Sequence, residues 1–560
     1  MISLVCSLLI ATTAAQPAQP ADVVVVCPAP FEDALQPWLE YRRAQGHVVE
    51  VIPASDAPEK IKTRLRDAYK AEPKLSIVLV GDVENRSVFD PTARTVAVPT
   101  HYAQAKINVL FGSEPTIATD NWYADFDDDG VPEVAVGRLP VDSASELDKL
   151  TKRIIAYERS TDFGLWRRKI NFVAGIGGFG FLADAAIESA AKSLLVAHLP
   201  PEYESTMTYA SWRSPYFPGA KEFHATTLER FNEGCLMWVY IGHGGVRELD
   251  YFKTPDDKVH RILDVNDTGK LQAKQPPIAL FLSCYSAAFD AKVDCLGEEM
   301  LRAEGGPIAV LGGSRVTMPY AMSILGQELM TTFFKDRAAT VGHLLRDAKR
   351  GLALKPRTSD SDKLFDTVAA AMMPMAADLK AQRIEHAQLF NLLGDPLLRI
   401  KHPEPIELTR GSDEPPILSL APPPPIVNDS SVELTVTAGS ESHHLKVAAR
   451  SAISGKGLIE FVPRRDWVYV RIDDRSKYDP QFDYHKEYLL NLRSYPFITM
   501  EGAIQSFGGL SQILTLPGDY YLRAYGEGET SFAMGAVRVK VVPAKPNSPA
   551  AETAAKPKAP

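Results

Sequence analysis

His243 and Cys284 each follow a short apolar run. CLMWVYI at 235–241 leads into Gly242-His243-Gly244-Gly245, and IALFL at 278–282 leads into Ser283-Cys284. A thiolate is a strong nucleophile, whereas a thiol at its ordinary pKa of ~8.5 is mostly protonated at neutral pH. An imidazole within hydrogen-bond reach can take the thiol proton during attack on a carbonyl and return it to a leaving amine. The pair therefore predicts acyl transfer through a Cys284 acyl-enzyme. Gly244 and Gly245 carry no Cβ, so the backbone beside His243 can come close to a substrate. Glu248 and Asp250, just after this motif, read as solvated or structural carboxylates.

Bringing the imidazole and the thiol together falls to the strands that carry them. Unbroken apolar runs of this length suit central strands of a parallel sheet, buried on both faces. In an open α/β sheet the ligand crevice lies outside the carboxyl ends of the strands, so neighbouring placement of the two runs predicts one shared rim. The preceding chain supports such a sheet: a strand at 23–27, a helix at 31–45 closed by Gly46, a strand at 48–52, a helix at 57–70 and a strand at 75–80 ending in Gly81-Asp82. That order implies parallel strands with right-handed crossovers. Further strands are expected at 131–136, 169–174, 308–311 and 397–400, and helices at 147–158, 183–196, 225–232, 295–304, 323–334, 339–352 and 361–372.

Past residue 402 the pattern changes. Proline is dense from 403 to 425, which favours an extended linker. Beyond it come short alternating runs at 432–436, 444–449, 457–462, 467–472, 488–492, 511–516, 520–524 and 536–542, with no helical period. This spacing predicts a β-sandwich. The fold class is thus α/β, with a parallel-sheet region of two subdomains ahead of an all-β sandwich.

Ahead of the strand expected at 131–136 lies Asp125-Phe126-Asp127-Asp128-Asp129-Gly130-Val131-Pro132-Glu133. Carboxylates at Asp125, Asp127 and Asp129 have the one, three, five spacing of a calcium loop, Gly130 takes the sharp turn, Val131 offers its carbonyl, and Glu133 adds another carboxylate. The twelfth position of a full hand falls on Val136, not on glutamate. A structural calcium ion is the one cofactor expected, and no organic one. Gly175-Ile176-Gly177-Gly178-Phe179-Gly180 formally matches a dinucleotide fingerprint. Its acidic partners, Glu202 and Glu204, follow Pro200-Pro201 in place of a second strand, so these glycines read as a structural turn.

The 560 residues exceed what one hydrophobic core sustains, which implies several domains. A net charge of −9 leaves no electrostatic footprint for nucleic acid. The apolar start, residues 2–15 followed by small residues, reads as a secretory signal without the usual basic leader. No later segment approaches the ~18 apolar residues of a membrane span. Of the five cysteines, Cys6 leaves with such a signal, and Cys27, Cys235, Cys284 and Cys295 are too few for a disulfide framework; Cys27 and Cys235 sit in apolar strands as buried hydrophobes.

Several stretches together resemble the gingipain family of caspase-like cysteine peptidases: Gly81-Asp82, Thr119-Asp120-Asn121-Trp122-Tyr123-Ala124-Asp125, Gly137-Arg138-Leu139-Pro140, the His-Gly and Cys motifs, and Asn391-Leu392-Leu393-Gly394-Asp395-Pro396. The resemblance implies a caspase-like fold with an immunoglobulin-like module after it, cleavage of proteins or peptides after Arg or Lys, and a secreted, periplasmic or cell-surface location. It further implies oxyanion donors in the backbone N–H groups of Gly244 and Cys284, an acidic residue matching Asp120 that orients His243, and a specificity-pocket wall at Tyr320. The expected organisation is a signal peptide at 1–21, an N-terminal subdomain at 22–162, a catalytic subdomain at 163–402, a linker at 403–428, the sandwich at 429–543 and a disordered tail at 544–560. The competing class is a catalytically silent relative that serves as an adhesion or binding protein, but such a protein has no chemical reason to keep both His243 and Cys284.

Overall fold

A computed structural model describes residues 19–54, 57–84, 96–176, 199–371 and 378–410, together with 434–438, 444–445, 447–451, 456–463, 478–485, 498–503, 510–511 and 518–543. The signal, the helix expected at 183–196, the glycine turn beyond Ile176, the runs at 467–472 and 488–492 and the tail lie outside the described residues.

A ten-stranded sheet runs through the core in the order Val49–Pro53, Val23–Cys27, Ser76–Val80, Ala135–Leu139, Phe390–Leu393, Ala309–Gly313, Ile278–Leu282, Met237–Ile241, Lys169–Ala174, Glu204–Tyr209. The first five are mutually parallel, as are the last five, but Phe390–Leu393 runs antiparallel to Ala309–Gly313. Two parallel half-sheets of opposite direction therefore meet at one seam. Both faces are covered. Along Val23–Cys27, Val23, Val25 and Cys27 pack with Trp38 and Leu39 of helix Glu32–Ala44 and Leu147 of helix Ala144–Arg159, whereas Val24 and Val26 pack with Ile61 and Leu65 of helix Pro58–Ala71.

The seam explains the Gly394-Asp395-Pro396 motif. Gly137 lies so close that an added Cβ would come within 2.6 Å of the Gly394 carbonyl oxygen. Asp395, fully buried, accepts from Trp38 Nε1 at 2.5 Å and from Arg42 Nη2 at 2.6 Å, and Arg42 also pairs with Glu158 at 2.9 Å. Both helices on that face are thus tied to the last strand inserted.

Local readings shift in several places. The strand expected at 131–136 forms at Ala135–Leu139, because Pro132 closes the acidic loop and the pairing Ser76↔Ala135 sets the register. Glu204–Tyr209 is an edge strand paired with Lys169–Ala174, hidden in sequence because ESTMTY has no apolar run. Helix Leu379–Leu389 buries Gln382, Glu385 and His386, polar residues that blur a hydrophobic period. Phe390–Leu393, not 397–400, is the closing strand. Glu404–Arg410, inside the expected linker, is also a strand, with Ile406 buried; proline becomes dense only from Pro415.

The C-terminal strands build a second sheet, ordered Val447–Ser451, Glu404–Arg410, Phe532–Pro543, Gly518–Glu527, Lys456–Pro463, Ile498–Ala503, with Leu434–Ala438 also on Phe532–Pro543 and a separate pair His444–Leu445 with Leu510–Ser511. This sheet docks on the core through buried charges: Glu460 accepts from Arg168 Nη1 and Nη2 at 2.9 and 3.0 Å and from Arg523, and Tyr525 donates to Gly164 O at 2.8 Å.

Candidate active site

Strands Met237–Ile241 and Ile278–Leu282 are parallel neighbours in strict register, from Ile278↔Met237 to Leu282↔Ile241, and Gly242 N donates to Leu282 O at 3.3 Å. His243 and Cys284 therefore each stand two residues beyond the matched ends of adjacent strands, on one rim of the sheet. The loops touch at Gly244, where an added Cβ would sit 2.6 Å from Cys284 O and 3.0 Å from the Ser283 and Ser286 hydroxyls. No side chain fits between the two loops.

Past Gly244 the chain turns back at once. Gly244 pairs antiparallel with Leu249, and Gly245 N donates to Glu248 O at 2.8 Å. That ladder places Asp250 opposite His243, as directly facing residues of an antiparallel pair stand with Cβ atoms ~5 Å apart. Tyr240 supports the turn: its hydroxyl donates to His243 O at 2.7 Å and lies 3.3 Å from Asp250 N, which donates to it. Burial raises the pKa of Asp250, and the charge of His243 pulls it back down. Sequence reasoning set Asp250 aside as solvated or structural. The available signal was the Gly-Gly pair followed by apolar Leu249, which marks a tight hairpin returning the next residue to the histidine.

Cys284 is partly exposed, whereas Cys27, Cys235 and Cys295 are buried, and none of these four is in a disulfide. Burial pushes the Cys27 and Cys235 thiols up to about 12 and that of Cys295 well above its usual range. The Cys284 sulfur accepts from Thr317 N at 3.3 Å and lies 3.5 Å from Thr317 Oγ1. Tyr285 follows in the left-handed region, φ 55°, uncommon for a residue with a side chain. Its N–H donates to Arg315 O at 3.2 Å and its hydroxyl to Glu114 at 2.9 Å, which hold the turn.

Asp120 is not brought to the histidine. Its carboxylate is clamped by Arg138, Nε and Nη2 each at 2.7 Å, and accepts from Thr100 at 2.9 Å, while its own N–H goes to Asn391 Oδ1 at 3.0 Å. Arg138 belongs to a strand four spacings from Met237–Ile241, roughly 19 Å across the sheet. Tyr320 opens helix Pro319–Phe334, three residues past Thr317, but it is buried: its ring stacks on Phe365, and its hydroxyl donates to Asp366 and accepts from Arg383.

The acidic loop differs from the expected ligand set. Oxygens of Asp125, Asp127 and Glu133 come within 4.8 Å of one another. Asp129 Oδ1 instead accepts from Val131 N at 2.8 Å. Asp125 is buried, with Oδ2 accepting from Gly130 N and Oδ1 meeting no hydrogen-bond partner among the described residues. Burial raises its pKa to about 6. A cation at Asp125, Asp127 and Glu133 fits that orphaned oxygen.

The family model for peptidase family C25 matches residues 16–401. Among curated relatives, Lys-gingipain HG66 of Porphyromonas gingivalis is 22% identical over 307 residues, 53% of this chain and 16% of the relative. Lys-gingipain W83 of the same species is 22% identical over 312 residues with the same shares. The chain thus spans about a sixth of the length of these relatives. Among solved structures, the complex of Porphyromonas gingivalis RgpB pro- and mature domains aligns over 93% of this chain and 99% of that one, at 15% identity and a TM-score of 0.50, a likeness of fold. Among the described residues no helix is long and apolar enough to cross a membrane.

Proposed function

Because this chain belongs to peptidase family C25, we propose that it is a secreted cysteine endopeptidase working through Cys284 and His243. The observation that supports the reading is the register of the two parallel strands, which end at one rim with Gly244 at the contact between their loops. His243 takes the Cys284 proton as sulfur attacks the scissile carbonyl. The tetrahedral oxyanion is held by the N–H groups of Gly244 and Cys284. Collapse expels the amine, which receives the proton from His243, and leaves a thioester. Water then attacks with His243 as base, and the Cys284 thiolate departs. Asp250, facing His243 across the hairpin, takes the orienting role that the resemblance assigned to Asp120.

Preference for bonds after Arg or Lys is carried by the likeness to gingipains, and Tyr320, with its outer surfaces already packed, contributes to the pocket wall through helix Pro319–Phe334 and not by an open ring. Calcium in the acidic loop is structural: Asp125, Asp127 and Glu133 would hold it, and bound there it would neutralise their mutual repulsion. The C-terminal sheet is read as the larger part of an immunoglobulin-like module.

Peptides with Arg, Lys or Ala before the scissile bond, incubated with the reduced protein and calcium, test the reading. Cleavage after the basic residues is expected, abolished both in Cys284→Ala and by thiol alkylation of the wild type. Undiminished cleavage by a folded Cys284→Ala protein would overturn it.

A further inference from the structure

The segment touching the Cys284 sulfur is anchored on both sides of Thr317 by one helix, Leu379–Leu389. Its Glu385 accepts the backbone N–H groups of Lys106, Ile107 and Asn108, and Asn108 Nδ2 in turn donates to Val316 O. The next residue, His386, is fully buried. Its Nε2 accepts from Met318 N at 2.6 Å, and its Nδ1 lies 2.9 Å from Gln382 O. One tautomer satisfies both contacts: a proton on Nδ1 donated to Gln382, and a bare Nε2 facing the amide. Burial brings the pKa of this imidazole down to about 4, so the ring stays neutral near pH 7. Protonation would set an Nε2–H donor against the Met318 N–H donor. Between the two anchored peptides, Thr317 donates its N–H to the sulfur, and its hydroxyl lies 3.5 Å from the sulfur and 3.4 Å from Met322 Sδ, so that it can turn from the thioether, its acceptor beside the neutral thiol, to the sulfur once that ionises; the neutral thiol itself points to Thr317 O at 3.8 Å.

We propose that Thr317 holds the Cys284 thiolate through these two groups, and that His386 is a positioning residue that keeps Thr317 aimed by fixing the Met318 amide. The proposal rests on the reading of Cys284 as the nucleophile. Hydrogen bonds to an ionised acceptor are roughly twice as strong as neutral ones, so both contacts strengthen when the sulfur ionises and weaken when it becomes a neutral thioester. They favour the thiolate before attack and again as the group expelled when water cleaves the acyl-enzyme. Tyr240 and Tyr285 are the titratable groups on which the charge of the sulfur acts, and His243 stands on the same rim.

The test is the pH dependence of iodoacetamide alkylation in the full chain, read by mass spectrometry on the peptide carrying Cys284. His386→Leu should move the pH midpoint of alkylation up by about one unit, a tenfold loss of reactive sulfur below it. His386→Gln, whose amide can accept from Met318 and donate to Gln382, should stay near wild type. Thr317→Val, which keeps the N–H and loses the hydroxyl, should move the midpoint in the same direction, and Thr317→Ser should not. An unmoved midpoint in a folded His386→Leu protein or in Thr317→Val, or equal shifts in His386→Gln and His386→Leu, would overturn the proposal. If His386→Leu does not fold, the Thr317 pair decides alone. Alkylation reports the thiol whether or not any peptide is cut, so absence of peptidase activity counts against the reading of function and leaves this comparison intact.

Discussion

Replacing Asp120 by Asn separates two roles for that carboxylate. In a catalytic triad, loss of the charge slows chemistry and spares stability. In the clamp seen here, Asp120 answers Arg138, which is fully buried and has two nitrogens on the Asp120 oxygens at 2.7 Å each. Removing one partner of a buried pair costs ~3–5 kcal/mol because the other charge stays buried and uncompensated. Asparagine keeps an acceptor for one of the two guanidinium contacts, and Arg138 Nη1 keeps the Gly81 and Val98 carbonyls at 2.9 Å each, so the lower end, ~3 kcal/mol, is expected. Lys349 adds to the cost. Burial draws its pKa down to about 7 against the charge of Asp120, and without that charge its ammonium is harder still to keep. With a urea slope of ~3 kcal/mol per molar, the unfolding midpoint should fall by about 1 M. Urea titration followed by tryptophan fluorescence measures it, alongside kcat of the folded variant on a basic-site peptide. Expected are a lower midpoint and a kcat within a few-fold of wild type. An unchanged midpoint with a hundred-fold loss of kcat would show that the carboxylate serves His243 and would refute the clamp.

Gly244→Ala places a methyl group 2.6 Å from Cys284 O, backbone against backbone, and should cost ~1–3 kcal/mol of overpacking together with most of kcat/KM; thermal melts and peptide hydrolysis read both, and full activity would mean the rim has slack. For the acidic loop, the folded pKa of Asp125, about 6, lies above its unfolded value of ~3.9. The native state therefore holds more protons between those pH values, and the chelated protein should lose stability as pH rises through that window. Calcium should raise the melting temperature above pH 6 and much less at pH 5, with the gain lost in Asp125→Asn. A calcium effect of equal size at pH 5 and pH 8 would remove Asp125 from the site.

Much of this architecture was legible because the buried strands are apolar along their length. VVVVC, SIVLV, MWVYI and IALFL each announce a strand covered on both faces, and the residues just past two of them, His243 and Cys284, stand where a crevice forms. What escaped notice is polar. Helix Leu379–Leu389 works through Glu385 and His386, side chains that look solvent-facing until their backbone partners are known. Arg138 in mid-strand looked like a motif residue, and only its long-range clamp on Asp120 showed why that aspartate is unavailable to the histidine. Asp250 does not stand out in the sequence, because a carboxylate in a short turn is usually hydrated and the hairpin register that aims it arises from pairing.

The opposed half-sheets carry a consequence for biogenesis. Phe390–Leu393 is the last core strand in the chain, yet it lies between Ala135–Leu139 and Ala309–Gly313, and Asp395 just after it closes a contact with Arg42 across 353 positions. During synthesis each half can gather its own strands, but both must present an unpaired inner edge until that segment emerges. Bare edges invite pairing with other chains, and joining such distant segments is intrinsically slow. A nascent chain truncated before residue 390 should therefore behave as two sticky fragments, and the full set of buried ion pairs locks only after the ribosome has passed this strand.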